Sequence, residues 1–174
     1  ILKLANQKSV RYIDTAIEYK NCENLLGRVG VENFNIISKL PFYHDENKYD
    51  HFYKKQIDKS LNNLKVNKIY SYLVHNPKIY SDNQLKKLFE ILNIYKKNNI
   101  IKKIGISIYS PQELGRYLNI CKPDIIQGPY NIFDNRIVSS GWLTKLNKLK
   151  IDFHARSIFL QGLIFMDEKI RNKK

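Results

Sequence analysis

The sequence has 174 residues, 43% hydrophobic and 26% charged, with a formal net charge of +14. That length and balance suit one folded domain with a real core and exclude a disordered chain, and no apolar run approaches the roughly 18 to 20 residues of a membrane span. The charge would suit a polyanion, yet the lysines are scattered along helix-like segments in a chain also rich in Asn, Ile and Tyr, so compositional bias is the simpler account and no nucleic-acid or membrane partner is expected.

In chain order, ILKLANQKSVRYIDTA lacks the apolar core and cleavage site of a signal peptide. It does not begin with Met and reads as a helix already under way, so a truncated start is expected. The first strand is predicted at Arg11–Ala16, followed by a helix-like segment in YKNCENLLG. Further strands are predicted at Asn35–Pro41, Ile69–Asn76, Lys103–Tyr109, Asp124–Tyr130 and Ile151–Ser157. They recur roughly every 25 to 35 residues, the length of one strand–helix unit. Runs such as IIS, IIQ and IGISI are apolar at consecutive positions, as in strands buried on both faces.

Helices fill the gaps. Tyr49–Val66 places Phe52, Ile57, Leu61 and Leu64 at near-helical spacing. Ser81 reads as the N-cap of NQLKKLFEILNIYKKNN, with Leu85, Leu88, Ile91, Leu92 and Tyr95 as its apolar stripe. Ser110-Pro111-Gln112-Glu113 reads as an N-cap, a first-turn proline and a capping-box glutamate. Trp142, Leu143, Leu146 and Leu149 mark the helix before the last strand. Cys22 and Cys121 have neither a disulfide framework nor zinc spacing, so a reducing cytoplasm is the default.

Alternating strands and helices give an α/β fold, either a (β/α)8 TIM barrel or an open doubly wound sheet. The doubly wound option usually carries a glycine-rich loop after its first strand. Here that turn is AIEYKNCE, without a glycine, so the barrel is favoured. Six strands are two short of eight, and the length is below the roughly 250 residues typical of that fold. The expectation is an incomplete barrel of about six strand–helix units, residues 1–174 being one domain truncated at both ends.

Barrel chemistry sits at the C-terminal ends of the strands. Those mouths offer Asp14, with Tyr19 in the loop beyond, then Lys39, His75, Ser107 and Gln127, and finally Arg156 and Ser157. Each alone has a bland account: a capping Asp, a solvated Lys, a structural His. Together they form an acid–base site. A lysine ammonium would lower a phenol's pKa from about 10. Asp14 would anchor Lys39, and His75 would orient a carbonyl while Tyr19 exchanges the proton. No side chain supplies a hydride, so a nicotinamide is implied. Ser107 and Gln127 could hold its carboxamide, and the Arg156 guanidinium could stack on its ring.

DTAIEYKNCENLLG resembles the DTAxxYGxSExxLG signature of the aldo-keto reductases, and ISKLP their strand bearing a catalytic Lys. SLNNLKVNKIYSYLVHNP resembles their SLxxLxxDxIDLYLxHxP motif. IKKIGISIYSPQEL, IIQGPYNIFD and ARSIFLQGL are similar to later segments, in order. The resemblance implies an NADPH-dependent carbonyl reductase, with NADH as the other option, acting on a small aldehyde, ketone or sugar. It implies the catalytic set Asp14, Tyr19, Lys39 and His75, and cofactor contacts at Asp14, Ser107, Gln127, Arg156 and Ser157. SGWL and RSIFLQGL are similar to reductases found with bacterial surface-polysaccharide enzymes. Lys20, Cys22, Asn67 and Ile108 depart from the family's usual Gly, Ser, Asp and Asn. The alternatives are a non-catalytic binding or regulatory protein of the same fold, or an inactive fragment. Oligomeric state and the physiological substrate are not legible.

Overall fold

Six short apolar runs become six parallel strands in a computed structural model that describes residues 1–167. They are β1 (Tyr12–Asp14), β2 (Asn35–Leu40), β3 (Ile69–Val74), β4 (Ile101–Ser107), β5 (Ile125–Pro129) and β6 (Asp152–Arg156). The sheet order is sequential, β1 to β6, with every neighbouring pair parallel. All six end before the predicted boundary, because the last residues of each run leave the ladder to enter a loop. β4 also starts two residues earlier than predicted, at Ile101.

The helices are α1 (Leu2–Gln7), α2 (Cys22–Val29), α3 (Tyr49–Leu64), α4 (Asp82–Lys97), α5 (Leu114–Ile120), α6 (Arg136–Ser139) and α7 (Trp142–Lys148). Ser81 caps α4 in a reciprocal box with Gln84, and Ser110 and Glu113 form a second box. The second box opens a 3-10 turn at Pro111–Glu113, which runs into α5. α3 stops at Leu64 because Lys65 turns left-handed, with φ 55°. Its buried face is Tyr49, Tyr53, Ile57, Ser60 and Leu64, so the predicted stripe is displaced: Phe52 and Leu61 pack only at its edge.

The sheet curls into a half-barrel. Gln127 on β5 donates to Asp14 on β1 at 2.7 Å, and the Tyr12 and His154 rings of β1 and β6 meet edge-on at 5.2 Å. Strand residues of one parity (Ile36, Leu40, Val74, Ile106, Ile126) join the main core with the helices. The other parity (Ile37, Leu73, Ile125) forms a smaller cluster. Because side chains alternate along a strand, Asp14, Lys39, His75, Ser107, Gln127 and Arg156 fall on that second face, inside the curl. At the opposite end of the interior, Tyr12, Tyr70 and His154 sit with a Lys103–Asp152 ion pair.

α2 is drawn tightly onto α3. A Cβ on Gly27 would lie 2.0 Å from the Asn63 carbonyl oxygen, so this position needs glycine for close approach. Glu23 is buried in the same contact and accepts from Ser38 Oγ at 2.7 Å and Ser60 Oγ at 2.5 Å. One carboxylate thus joins α2, β2 and α3, and its paired oxygen avoids the cost of an unsatisfied buried charge. Among the described residues, no helix is long and apolar enough to cross a membrane.

Candidate active site

The strand mouths deliver the predicted groups to one place. Lys39 is only 2% exposed, and its Nζ donates to Asp14 Oδ1 and Oδ2, each at 2.7 Å, and to the Thr15 carbonyl oxygen at 2.9 Å. An ammonium has three donors, and here all three are committed. Burial pulls the Lys39 ammonium below its ordinary pKa, and Asp14 pushes back. Asp14 Oδ1 also accepts from Gln127 Nε2, and Ser107 Oγ donates to Gln127 Oε1 at 3.3 Å. Ser107 and Gln127 are register partners on β4 and β5, each 3% exposed.

After β1 the backbone turns sharply: Tyr19 N donates to Ala16 O at 3.0 Å, and Cys22 N to Tyr19 O at 2.9 Å. Lys20 lies in this turn with φ 45°, the left-handed region that favours glycine. The departure noted in the sequence therefore keeps the backbone shape while placing a side chain where glycine is the low-strain choice. Ile108, the other departure near the mouths, buries its side chain in the main core. It contributes only backbone groups: its N–H donates to Gln127 O at 2.8 Å, and its carbonyl accepts from Arg156 Nη2 at 3.0 Å.

Tyr19 lies 44% exposed at the open side of the Lys39–Asp14 pair. The ammonium sits over its ring, 5.3 Å from the centroid, and its hydroxyl makes no hydrogen bond with the described residues. The expected lowering of the phenol by Lys39 does not occur. Burial first and the Asp14 charge second push Tyr19 above 10.0, while Arg156 opposes them. Lys39 has no N–H left to stabilise a phenolate, because Asp14 and Thr15 hold all three.

His75 follows β3, its ring edge-on to Tyr19 at 5.8 Å between centroids. Its Nδ1 is 2.8 Å from Glu18 Oε2. Arg156 donates to the Ile108 carbonyl and to Ser157 Oγ at 3.4 Å, and one face of its guanidinium lies 4.6 Å from the Tyr109 ring centroid. Ser157 is exposed in a left-handed turn, φ 59°. A cleft of about 250 Å³ opens here, lined by Glu18, Phe42, His75, Asn76, Ile79 and Tyr109. A larger depression of about 550 Å³ runs along α3, lined by His51, Lys54, Lys55, Asp58 and Lys59, but it lies outside the curl and away from these groups.

Sequence reasoning missed Glu18 and Tyr109. Tyr109 continues the inward parity of Ser107 two residues past β4, so strand alternation could have found it. Glu18 sits in an irregular turn, where no periodicity points anywhere. Ser107 and Gln127 retain unused capacity, a lone pair on the hydroxyl and a second amide N–H, which complements a carboxamide. Among the described residues, no cluster of His, Cys, Asp and Glu could hold a metal ion.

The aldo/keto reductase family model matches residues 1–174. Aldo-keto reductase AKR11C1 from Bacillus halodurans, in its holo form, superposes with a TM-score of 0.79 at 22% identity, over 94% of this chain and 57% of that one. Glycerol dehydrogenase AKR11B4 from Gluconobacter oxydans gives 0.77 at 20% identity, over 96% and 55%. An aldo/keto reductase from Klebsiella pneumoniae, solved in complex with NADP and acetate, gives 0.77 at 18% identity, over 95% and 59%. The chain thus spans little more than half the length of these structures, and at such identities the likeness is one of fold. No curated protein matches the sequence.

Proposed function

The chain belongs to the aldo/keto reductase family, and from that premise we propose that the protein reduces the carbonyl of a small aldehyde, ketone or sugar to an alcohol, with NADPH as hydride donor and NADH as the second candidate. The observation that carries this reading is the Tyr19 phenol poised beside a buried lysine whose ammonium is fully held by Asp14 and Thr15. A bound nicotinamide would supply the hydride. Ser107 and Gln127 would meet its carboxamide, Asp14 would border it, and Arg156, with Ser157 beside it, would offer the face not covered by Tyr109.

Tyr19 is the proton donor in this reading. Its pKa is raised, so at neutral pH the phenol keeps its proton, the form a general acid needs when an alkoxide develops. Its partial exposure lets solvent restore that proton. Lys39 and Asp14 fix the floor beneath the ring, and His75 offers a ring nitrogen to the carbonyl oxygen. The substrate enters through the cleft beside His75, where Phe42, Ile79 and Tyr109 supply apolar walls.

The test is Tyr19→Phe, which removes one hydroxyl from a side chain that makes no hydrogen bond with the described residues. NADPH-dependent turnover of a small aldehyde should fall by about 10²-fold or more, the usual scale of a positioned acid. The far-ultraviolet spectrum and melting temperature should not move. Unchanged turnover would remove Tyr19 from the role.

A further inference from the structure

Two consecutive residues of one turn clasp the same imidazole. Tyr19 meets the His75 ring edge-on, and the Glu18 carboxylate approaches its Nδ1 at 2.8 Å. The backbone holds both partners: Lys20 N donates to Glu18 O at 2.9 Å, and His75 N to Leu40 O at 3.3 Å. An ionised carboxylate only accepts hydrogen bonds, so a contact of this length places a proton on Nδ1. The remaining ring nitrogen, Nε2, then depends on protonation. In the neutral ring it is a lone-pair acceptor, and in the imidazolium it is a donor.

We propose that Glu18 is a positioning residue that locks this tautomer, so that His75 can donate to a carbonyl oxygen only as the imidazolium and presents an acceptor, suited to an alcohol, once the ring is neutral. The inference rests on the proposed carbonyl chemistry only for what Nε2 meets. The other groups around the ring do not compete for Nδ1. Asn76, Phe42 and Ile79 line the cleft, as does the Tyr109 phenol. Asp14 and Lys39 are paired to each other behind Tyr19, and Arg156 lies over Tyr109.

Glu18→Gln separates the roles. A glutamine amide can donate to Nδ1 and leave the proton on Nε2, so a neutral His75 becomes a donor. The side chain is 53% exposed and the change is isosteric, so the fold is retained. The first readout needs no substrate: nitrogen-15 correlation spectra of the imidazoles at about pH 8, with the His75 signals assigned by their loss in His75→Asn. The wild type should show Nδ1–H, and Glu18→Gln should move the tautomer ratio toward Nε2–H by about threefold, the scale of an exposed pair. The second readout is the pH profile of kcat/KM for a small aldehyde. With the ring neutral, at alkaline pH, Glu18→Gln should retain about threefold more of its activity than the wild type, following the tautomer ratio. A wild-type ring protonated on Nε2, or a variant that keeps the wild-type ratio or retains no more alkaline activity than the wild type, overturns the proposal. A protein that reduces no carbonyl but shows Nδ1–H refutes the function and supports the tautomer.

Discussion

Asp14→Asn is the sharpest test of the site's architecture, because it keeps the shape and removes one charge. Asp14 Oδ1 accepts from both Lys39 and Gln127, and Oδ2 accepts from Lys39. An asparagine has one acceptor and one donor there. If its oxygen takes the Oδ1 place, its NH₂ faces the Lys39 ammonium; if it is flipped, the NH₂ faces both partners. Either way a hydrogen bond becomes a donor–donor contact beside a buried cation. At 2.7 Å the lost attraction lies between about 1.5 kcal/mol in water and about 6 kcal/mol at an effective dielectric constant near 20. Breaking one side of a buried pair costs about 3 to 5 kcal/mol, and the 43% exposure of Asp14 brings the expectation down to about 2.5 kcal/mol. For a chain of this size that is a drop in Tm of about 5 to 10 °C. The pH dependence follows. Burial already draws Lys39 below 10.5, and losing Asp14 draws it lower. The native state then sheds its proton before the unfolded state does, so between the lowered value and 10.5 stability rises with pH. The deficit of Asp14→Asn against wild type should therefore narrow toward pH 10. Paired with Lys39→Met in a double-mutant cycle, the coupling should be about 2 kcal/mol. A Tm within about 1 °C of wild type at pH 7, or a coupling below about 0.3 kcal/mol, would show that solvent screens the pair and that Asp14 does not anchor the lysine.

Lys20→Gly should relieve a left-handed residue and stabilise the protein by about 0.5 kcal/mol, the strain relieved less the added freedom of the unfolded chain, as read by a shift in urea midpoint. A loss of stability would mean that the Lys20 side chain contributes more than its backbone costs. Gly27→Ala should destabilise by about 2 kcal/mol, since the new Cβ collides with a backbone oxygen and better helix propensity offsets only part of that; a wild-type melt would show that α2 is free to slide off α3. Burial pushes Tyr49 and Tyr117 up to about 12 and raises Tyr53, Tyr72 and Tyr80 as well. Their stabilising contribution is complete below pH 10 and is lost as pH rises toward their folded values, so urea midpoints should decline from about pH 10 upward. A flat profile to pH 11.5 would contradict the burial of these phenols.

The sequence by itself determined the alternation of strand and helix, the parallel sheet, the Ser81 cap, the Ser110–Glu113 capping box and the ring of polar groups at the strand mouths. These are local properties. Apolar periodicity records which face of an element is buried, and a polar residue ending an apolar run records where that face meets solvent. The Asp14–Lys39 pair was expected from the strand mouths, but only the tertiary structure decided that Gln127 shares Asp14 and that His75 pairs with Glu18. Lys39 meets a carboxylate 25 residues away, His75 meets Glu18 across 57, and Gln127 reaches Asp14 across 113. The last of these depends on the curl that turns β1 toward β5 and β6, which no window of sequence contains. Tertiary packing also decided that Lys39 spends its donors on Asp14 and Thr15, and that burial first and the Asp14 charge second raise the Tyr19 phenol.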